Sequence, residues 1–293
     1  MPGRRFVYGP VASRRLGFSL GVDIIPFKTC TLDCVYCQLG SAGKTTVRRG
    51  SWFPPDEILA QIKEAVGSGQ RIDVITFSGS GEPTLCRDIG RLIRAIKTMT
   101  RIPVAVLTNA TLLTRKAVRR ELAAADIVVP SLDNRKIIDG LVRFRKDFPG
   151  ELRLEIMLVK GVNDSAAHIR ALKAAVARID PDRIELNTVV RPPADRSARP
   201  LGPAALARIG AQLGPEAAVV ASFAVKKQAP GAGSLERSIL ATVGRRPQTA
   251  ADIGLALGRH RDEVLKALTS LLRRGAVRTL AHGDQTYFAK RPA

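Results

Sequence analysis

Cysteine is scarce, four residues in a long chain of 293, and a disulfide framework is not expected in it. No apolar run is long enough to span a bilayer. No apolar leader of secretory length follows Arg4 and Arg5 either, so the expectation is a protein of the reducing cytoplasm with no membrane partner. Aromatic side chains make up only 4% of the chain, and no stacking platform for single-stranded bases is evident. Acidic residues are scarce beside basic ones, 26 against 47, and the net charge is +21. Solubility asks for far less, so a polyanionic partner is expected. The competing source of that charge is the Arg-, Ala- and Gly-rich composition that a GC-rich genome produces.

Apolar residues are 45% of the chain, enough for one large core and a small second one. Through the first three quarters, short β-branched runs at 22–25, 73–77, 103–107, 126–129, 152–159 and 183–190 alternate with helical stretches at 55–66, 89–98, 114–124, 137–146, 165–178 and 203–213. Repeated βα units with buried strands predict a parallel sheet in an α/β fold, with residues 219–221 as a further edge strand. Chemistry in such folds gathers at the C-terminal ends of the strands. Polar residues stand there in succession: Thr108-Asn109, Ser131-Leu132-Asp133, Lys160 to Asp164, and Asn187 with Arg191. Asp164-Ser165 reads as a helix cap rather than a site.

Cys30, Cys34 and Cys37 form a C-x-x-x-C-x-x-C loop after the first run, with Tyr36 inside it. Thiolate is the soft ligand of iron–sulfur clusters, and three of them leave one iron of a [4Fe-4S] cube open to a small molecule. A zinc site completed by Cys86 is the alternative. Zinc ligands usually come as two close pairs, whereas this spacing is three together and a distant singleton. After the second run comes Ser78-Gly79-Ser80-Gly81-Glu82-Pro83-Thr84, which taken alone is only a tight turn.

Together, the cysteine loop and the Gly81-Glu82-Pro83 segment resemble the radical S-adenosylmethionine (SAM) superfamily. The run at 9–17, Pro26-Phe27-Lys28-Thr29-Cys30 and the segment at 186–193 are similar to the iron–sulfur oxidoreductases grouped with wyosine-forming tRNA synthases. This resemblance implies a partial (β/α)6 barrel, a [4Fe-4S] cluster on Cys30, Cys34 and Cys37, and SAM chelating the open iron for cleavage to a 5′-deoxyadenosyl radical. It implies Tyr36 against the adenine, and Gly81 and Glu82 at the cofactor's amino group, with Ser80 in place of the first glycine of G-G-E-P. Asn109 is expected at the ribose, and Ser131, Asp133, Asn187 and Arg191 around the same pocket. An electron donor such as flavodoxin or ferredoxin is implied as well.

Pro230-Gly231-Ala232-Gly233 marks a break between a first domain, 1–229, and a second, 234–293. Helices are expected at 234–243, 249–257 and 261–273, then a hairpin of 276–280 and 285–289. Those are the elements of a winged helix, with Arg261, Lys266, Arg273 and Arg274 offered to phosphates and the hairpin as the wing. Arg4, Arg5, Arg14, Arg15, Arg48 and Arg49 make a second basic region around the cysteine loop. Two such regions point to a large anionic substrate such as RNA, and the resemblance to wyosine-forming enzymes implies tRNA more narrowly. A peptide held by the winged helix, or a non-enzymatic iron–sulfur redox sensor on DNA, is the alternative.

Overall fold

The computed structural model describes residues 4–13, 15–40, 45–132, 135–220, 235–244, 246–259 and 261–291. Arg14, Asp133 and the expected break at 230–233 lie outside them.

The chain opens with an antiparallel hairpin, β1 (Val7–Ser13) and β2 (Gly17–Val22). The sequence pattern instead predicts a first strand at 22–25. Gly9-Pro10 interrupts the β1 run, and the pairing register slips between Tyr8 and Val11, so no clean alternation marks it. Six βα units follow: β2 with α1 (Pro55–Gly67), β3 (Val74–Phe77) with α2 (Ile89–Met99), β4 (Val104–Thr108) with α3 (Lys116–Leu122), β5 (Ile127–Pro130) with α4 (Ile138–Asp147), β6 (Glu151–Leu158) with α5 (Ala166–Ile179), and β7 (Arg183–Thr188) with α6 (Pro203–Leu213). A short β8 (Ala217–Val219) ends the sheet, which runs in chain order from β1 to β8 with all pairs after the hairpin parallel. This is the expected partial (β/α)6 barrel. Ser165 caps α5 by accepting from the His168 amide at 3.2 Å, as its spacing predicts.

Because the sheet does not close, something must tie its early and late strands. Arg15, in the turn between β1 and β2, does so across the inside. Its Nη1 lies 2.7 Å from Glu155 Oε1 on β6 and 3.1 Å from Glu185 Oε2 on β7. Burial alone would lower the pKa of the Arg15 guanidinium, but the two carboxylates outweigh it and hold it above its ordinary value. Burial also pushes Glu185 up, with Arg15 pulling back. Arg49 is likewise committed. It ion-pairs with Glu121 and donates to the carbonyls of Thr84 at 2.8 Å and Cys86 at 2.7 Å. The basic region expected around the cysteine loop thus loses two of its arginines to the protein's own interior, which is a correction to the sequence reading.

The remaining elements are α7 (Leu235–Val243), β9 (Gln248–Thr249), α8 (Ala250–Leu257), α9 (Arg261–Arg273), β10 (Val277–His282) and β11 (Gln285–Lys290). Ile239, Val243, Ile253, Val264, Leu268 and Leu271 give them an apolar cluster of their own. Thr249 starts α8 with a reciprocal cap to Asp252. The helices and hairpin fall where expected; β9 is too short to leave a periodic signal. This unit stands against the open side of the barrel. Helices α7 and α8 pack on β1, while Tyr287 Oη donates to the Val190 carbonyl just past β7 at 2.6 Å. The hairpin, expected as a wing, therefore has one face on the barrel.

Replacing Arg15 with Met strands Glu155 and Glu185 together in the interior and should remove about 3–5 kcal/mol at neutral pH. A carboxyl whose folded pKa is raised keeps a proton that the unfolded chain has lost, so stability falls as pH rises through that interval. The deficit of Arg15→Met against the parent, from urea titrations, should accordingly be larger near pH 7 than near pH 5. Equal deficits would mean that the bridge does not hold the sheet.

Candidate cofactor-binding site

Strand β2 ends at Val22, and the chain turns at once into the cysteine loop through Asp23, which is buried. That loop is clipped to the glycine-rich loop after β3 by two backbone hydrogen bonds. Lys28 N donates to Ser80 O at 2.6 Å, and Glu82 N donates to Thr29 O at 3.0 Å. The approach is so close that a Cβ on Gly81 would lie 1.9 Å from the Thr29 carbonyl oxygen, so only glycine fits. Ser80, the departure from G-G-E-P, earns its place: its amide and hydroxyl donate to the two Asp23 carboxylate oxygens at 3.2 and 2.5 Å. Asp23 is a residue that sequence reasoning missed. A carboxylate directly after a buried strand was the available signal, since such a group is seldom buried without partners.

Glu82 is 2% exposed, and its carboxylate accepts from Thr84 N, Thr84 Oγ1, Thr108 Oγ1 and Asn109 N at 2.6–3.0 Å. Burial raises its pKa while those donors oppose the rise. The side chain expected at the cofactor's amino group is thus saturated and off the cavity wall, which the loop reaches through Ser78 to Gly81 instead. Asn109 is also off the cavity wall. Its Nδ2 donates to Thr31 Oγ1 at 2.8 Å and lies 3.5 Å from Cys30 Sγ, so it braces the cysteine loop where a ribose contact was expected. Ser131 donates to Glu155 at 3.3 Å and does not reach the wall. Asp133 lies outside the described residues.

The other expected residues do meet. A cavity of about 370 Å³ is bounded by Cys30, Cys34 and Cys37, by Tyr36, by Gly81, and by Asn187 and Arg191. Tyr36 leans on Val159, Val189 and Ala198. Asn187 Nδ2 donates to Glu155 Oε1 at 3.0 Å, and Arg191 is 3% exposed. Burial pushes the Cys30 and Cys37 thiols up. Cys86 packs in the core with its thiol pushed up to about 11, away from the cavity. Among the described residues no three His, Cys, Asp or Glu side chains converge as ligands of a single ion. Three half-buried sulfurs on one cavity wall, without a fourth thiol beside them, suit a cube bound through three irons better than a zinc knot.

The Radical SAM superfamily domain matches residues 24–136, which contain both loops. A UPF0026 protein of Synechocystis is 38% identical over 64% of this chain and 76% of its own length. The chain belongs to the UPF0026 family, within the radical SAM superfamily. It is a radical SAM enzyme, and with membership come the superfamily's cofactors, a [4Fe-4S] cluster and SAM. A protein of Brachyspira hyodysenteriae named GTPase Obg is 36% identical over 93% of this chain but only 43% of its own length, so the chain spans less than half of that relative. A probable dual-specificity RNA methyltransferase of Opitutus terrae is 27% identical over 50% of this chain and 48% of its own. Among solved structures, a radical SAM methyltransferase of Sphaerobacter thermophilus aligns over 69% of this chain and 65% of its own, with a TM-score of 0.49 and 19% identity.

Anaerobic reconstitution should load about four irons per chain. Cys34→Ala should lose them and Cys86→Ala should keep them, read by iron and sulfide assay; equal iron in both variants would refute the ligand set. Glu82→Gln turns an amide nitrogen toward amide and hydroxyl donors. It should cost about 1–3 kcal/mol in thermal or urea unfolding. It should also shed the cluster faster. A Glu82→Gln protein of parental stability with weakened SAM binding would instead return the carboxylate to the cofactor.

Proposed function

We propose that this chain modifies RNA by radical chemistry, with residues 1–229 as the catalytic barrel and 234–293 as a winged helix that grips phosphates. When bound, the cluster supplies the electron that cleaves SAM to a 5′-deoxyadenosyl radical. The chain's own part is to hold the ligands and exclude water: the clipped loops place three thiols and Tyr36 beside the glycine-rich loop, and Asn187 and Arg191 complete the lining.

The observation that carries the RNA reading is the outer face of α9. Val264, Leu268 and Leu271 turn inward, and Lys266 and Arg273, two helical turns apart on the opposite face, are exposed. Arg261 is exposed at the start of the same helix. Arg274 is already engaged by Glu236 and drops out of the set expected from sequence. The net charge of +21 and the likeness to an RNA methyltransferase support the same partner. A cytoplasmic setting and a flavodoxin- or ferredoxin-type electron donor complete the proposal. No helix among the described residues is long and apolar enough to cross a membrane.

Bulk tRNA binding, followed by anisotropy over a salt series, tests this. Each neutralised duplex phosphate adds about 0.9 to the slope of log affinity against log salt. Lys266→Glu with Arg273→Glu should therefore flatten that slope by roughly 1 to 2 and weaken binding. If affinity and slope are unchanged, α9 is not a nucleic-acid surface, and a peptide substrate becomes the better reading.

A further inference from the structure

The barrel is open between β1 and β8, and the C-terminal unit stands in that opening, with α7 and α8 on β1 and Tyr287 bonded beyond β7. Three of its residues reach the cavity that holds the cysteines: Thr242 near the end of α7, Arg246 in the turn that follows, and Gln248 on β9. The Thr242 hydroxyl donates to the Ser238 carbonyl at 2.8 Å and is occupied. Arg246 is different. It is half-buried, and among the described residues it makes no hydrogen bond and no ion pair. Tyr8 and Asp252 act on it electrostatically without bonding to it, and Arg15 repels it.

A guanidinium does not escape burial by losing its proton, so the cost of desolvating it stands until an anion arrives. Burial foremost, and then Arg15, lower the pKa of Arg246. The wall around it is itself cationic: Arg15, Lys28, Arg191 and Arg246 face only Asp33 and Glu155. Arg15 is already ion-paired with Glu155 and Glu185. A planar, fork-shaped donor in such a setting matches the two oxygens of a phosphate or a carboxylate.

We propose that Arg246 is the oxyanion-binding residue of the reaction cavity, carried into the open side of the barrel by the C-terminal unit. It receives a phosphate or carboxylate group of a molecule bound beside the cysteine loop. The unit is thereby a wall of the active site. This rests on the cavity being the reaction cavity and is independent of the α9 surface.

Two sources can supply the oxyanion, the carboxylate of SAM or a phosphate of the substrate, and they separate in one experiment. The full-length, cluster-loaded protein is titrated calorimetrically with SAM and, separately, with inorganic phosphate, alongside Arg246→Gln and Arg246→Lys. Arg246→Gln should weaken one of the two ligands by about 10- to 100-fold, the range of a charge-assisted hydrogen bond, and Arg246→Lys should recover part of the loss. A loss toward SAM assigns the site to the cofactor carboxylate, and a loss toward phosphate assigns it to the substrate. The thermal midpoint of Arg246→Gln should stay level or rise, because a half-buried cation with no bonded partner among the described residues has been removed. Unchanged affinity for both ligands overturns the proposal. A lowered midpoint that Arg246→Lys restores, with no ligand present, overturns it too. Lys266 and Arg273 are intact in these variants, so tRNA binding through α9 is measured independently and either idea can fall alone.

Discussion

Glu82 is the junction on which the site depends. Its amide fastens the cysteine loop through the Thr29 carbonyl, and its carboxylate gathers donors from Thr84, Thr108 and Asn109. The loops after β2, β3 and β4 therefore share one buried anion, and Asn109, oriented by that contact, braces Cys30 in turn. Three thiols on an otherwise free loop would sample many separations. Here their root is fixed against two strands, which is the preorganisation that cluster ligation requires.

The same economy appears on the other side of the barrel. An open sheet leaves polar backbone and apolar interior to be covered, and two devices cover them. Arg15 spans the interior to reach β6 and β7, and the C-terminal unit fills the gap between the sheet's first and last strands. One set of helices thus has a cationic face on α9 turned to solvent and Arg246, after α7, turned to the cavity.

Much of this could be read before any coordinates. The six βα units follow from runs such as 73–77 and 103–107 set between amphipathic stretches, and the cysteine spacing singles out the loop that lines the cavity. Strand β1 could not be read, because Gly9-Pro10 breaks its alternation. The directions of Glu82 and Asn109 could not be read either. Spacing places a residue at a strand end, but whether its side chain faces the cavity or the neighbouring loop depends on a rotation that one-dimensional pattern does not carry. Arg48, Arg49 and Arg15 looked alike as charges, yet Arg49 and Arg15 are tied by carboxylates more than seventy residues away in the chain. Arg246 had no local signal at all, since its setting exists only once the C-terminal unit is docked.

Cys86 gives the chain an unusual chemical symmetry. Its thiol is buried and far from ionised at neutral pH, while the three loop thiols sit at the edge of a cavity. Alkylating reagents attack thiolates they can reach. The folded chain thus presents one deeply buried sulfur as an internal blank and three half-buried ones at the cavity edge. Counting labelled thiols by mass before and after unfolding would report how many of the three loop thiols are occupied, molecule by molecule.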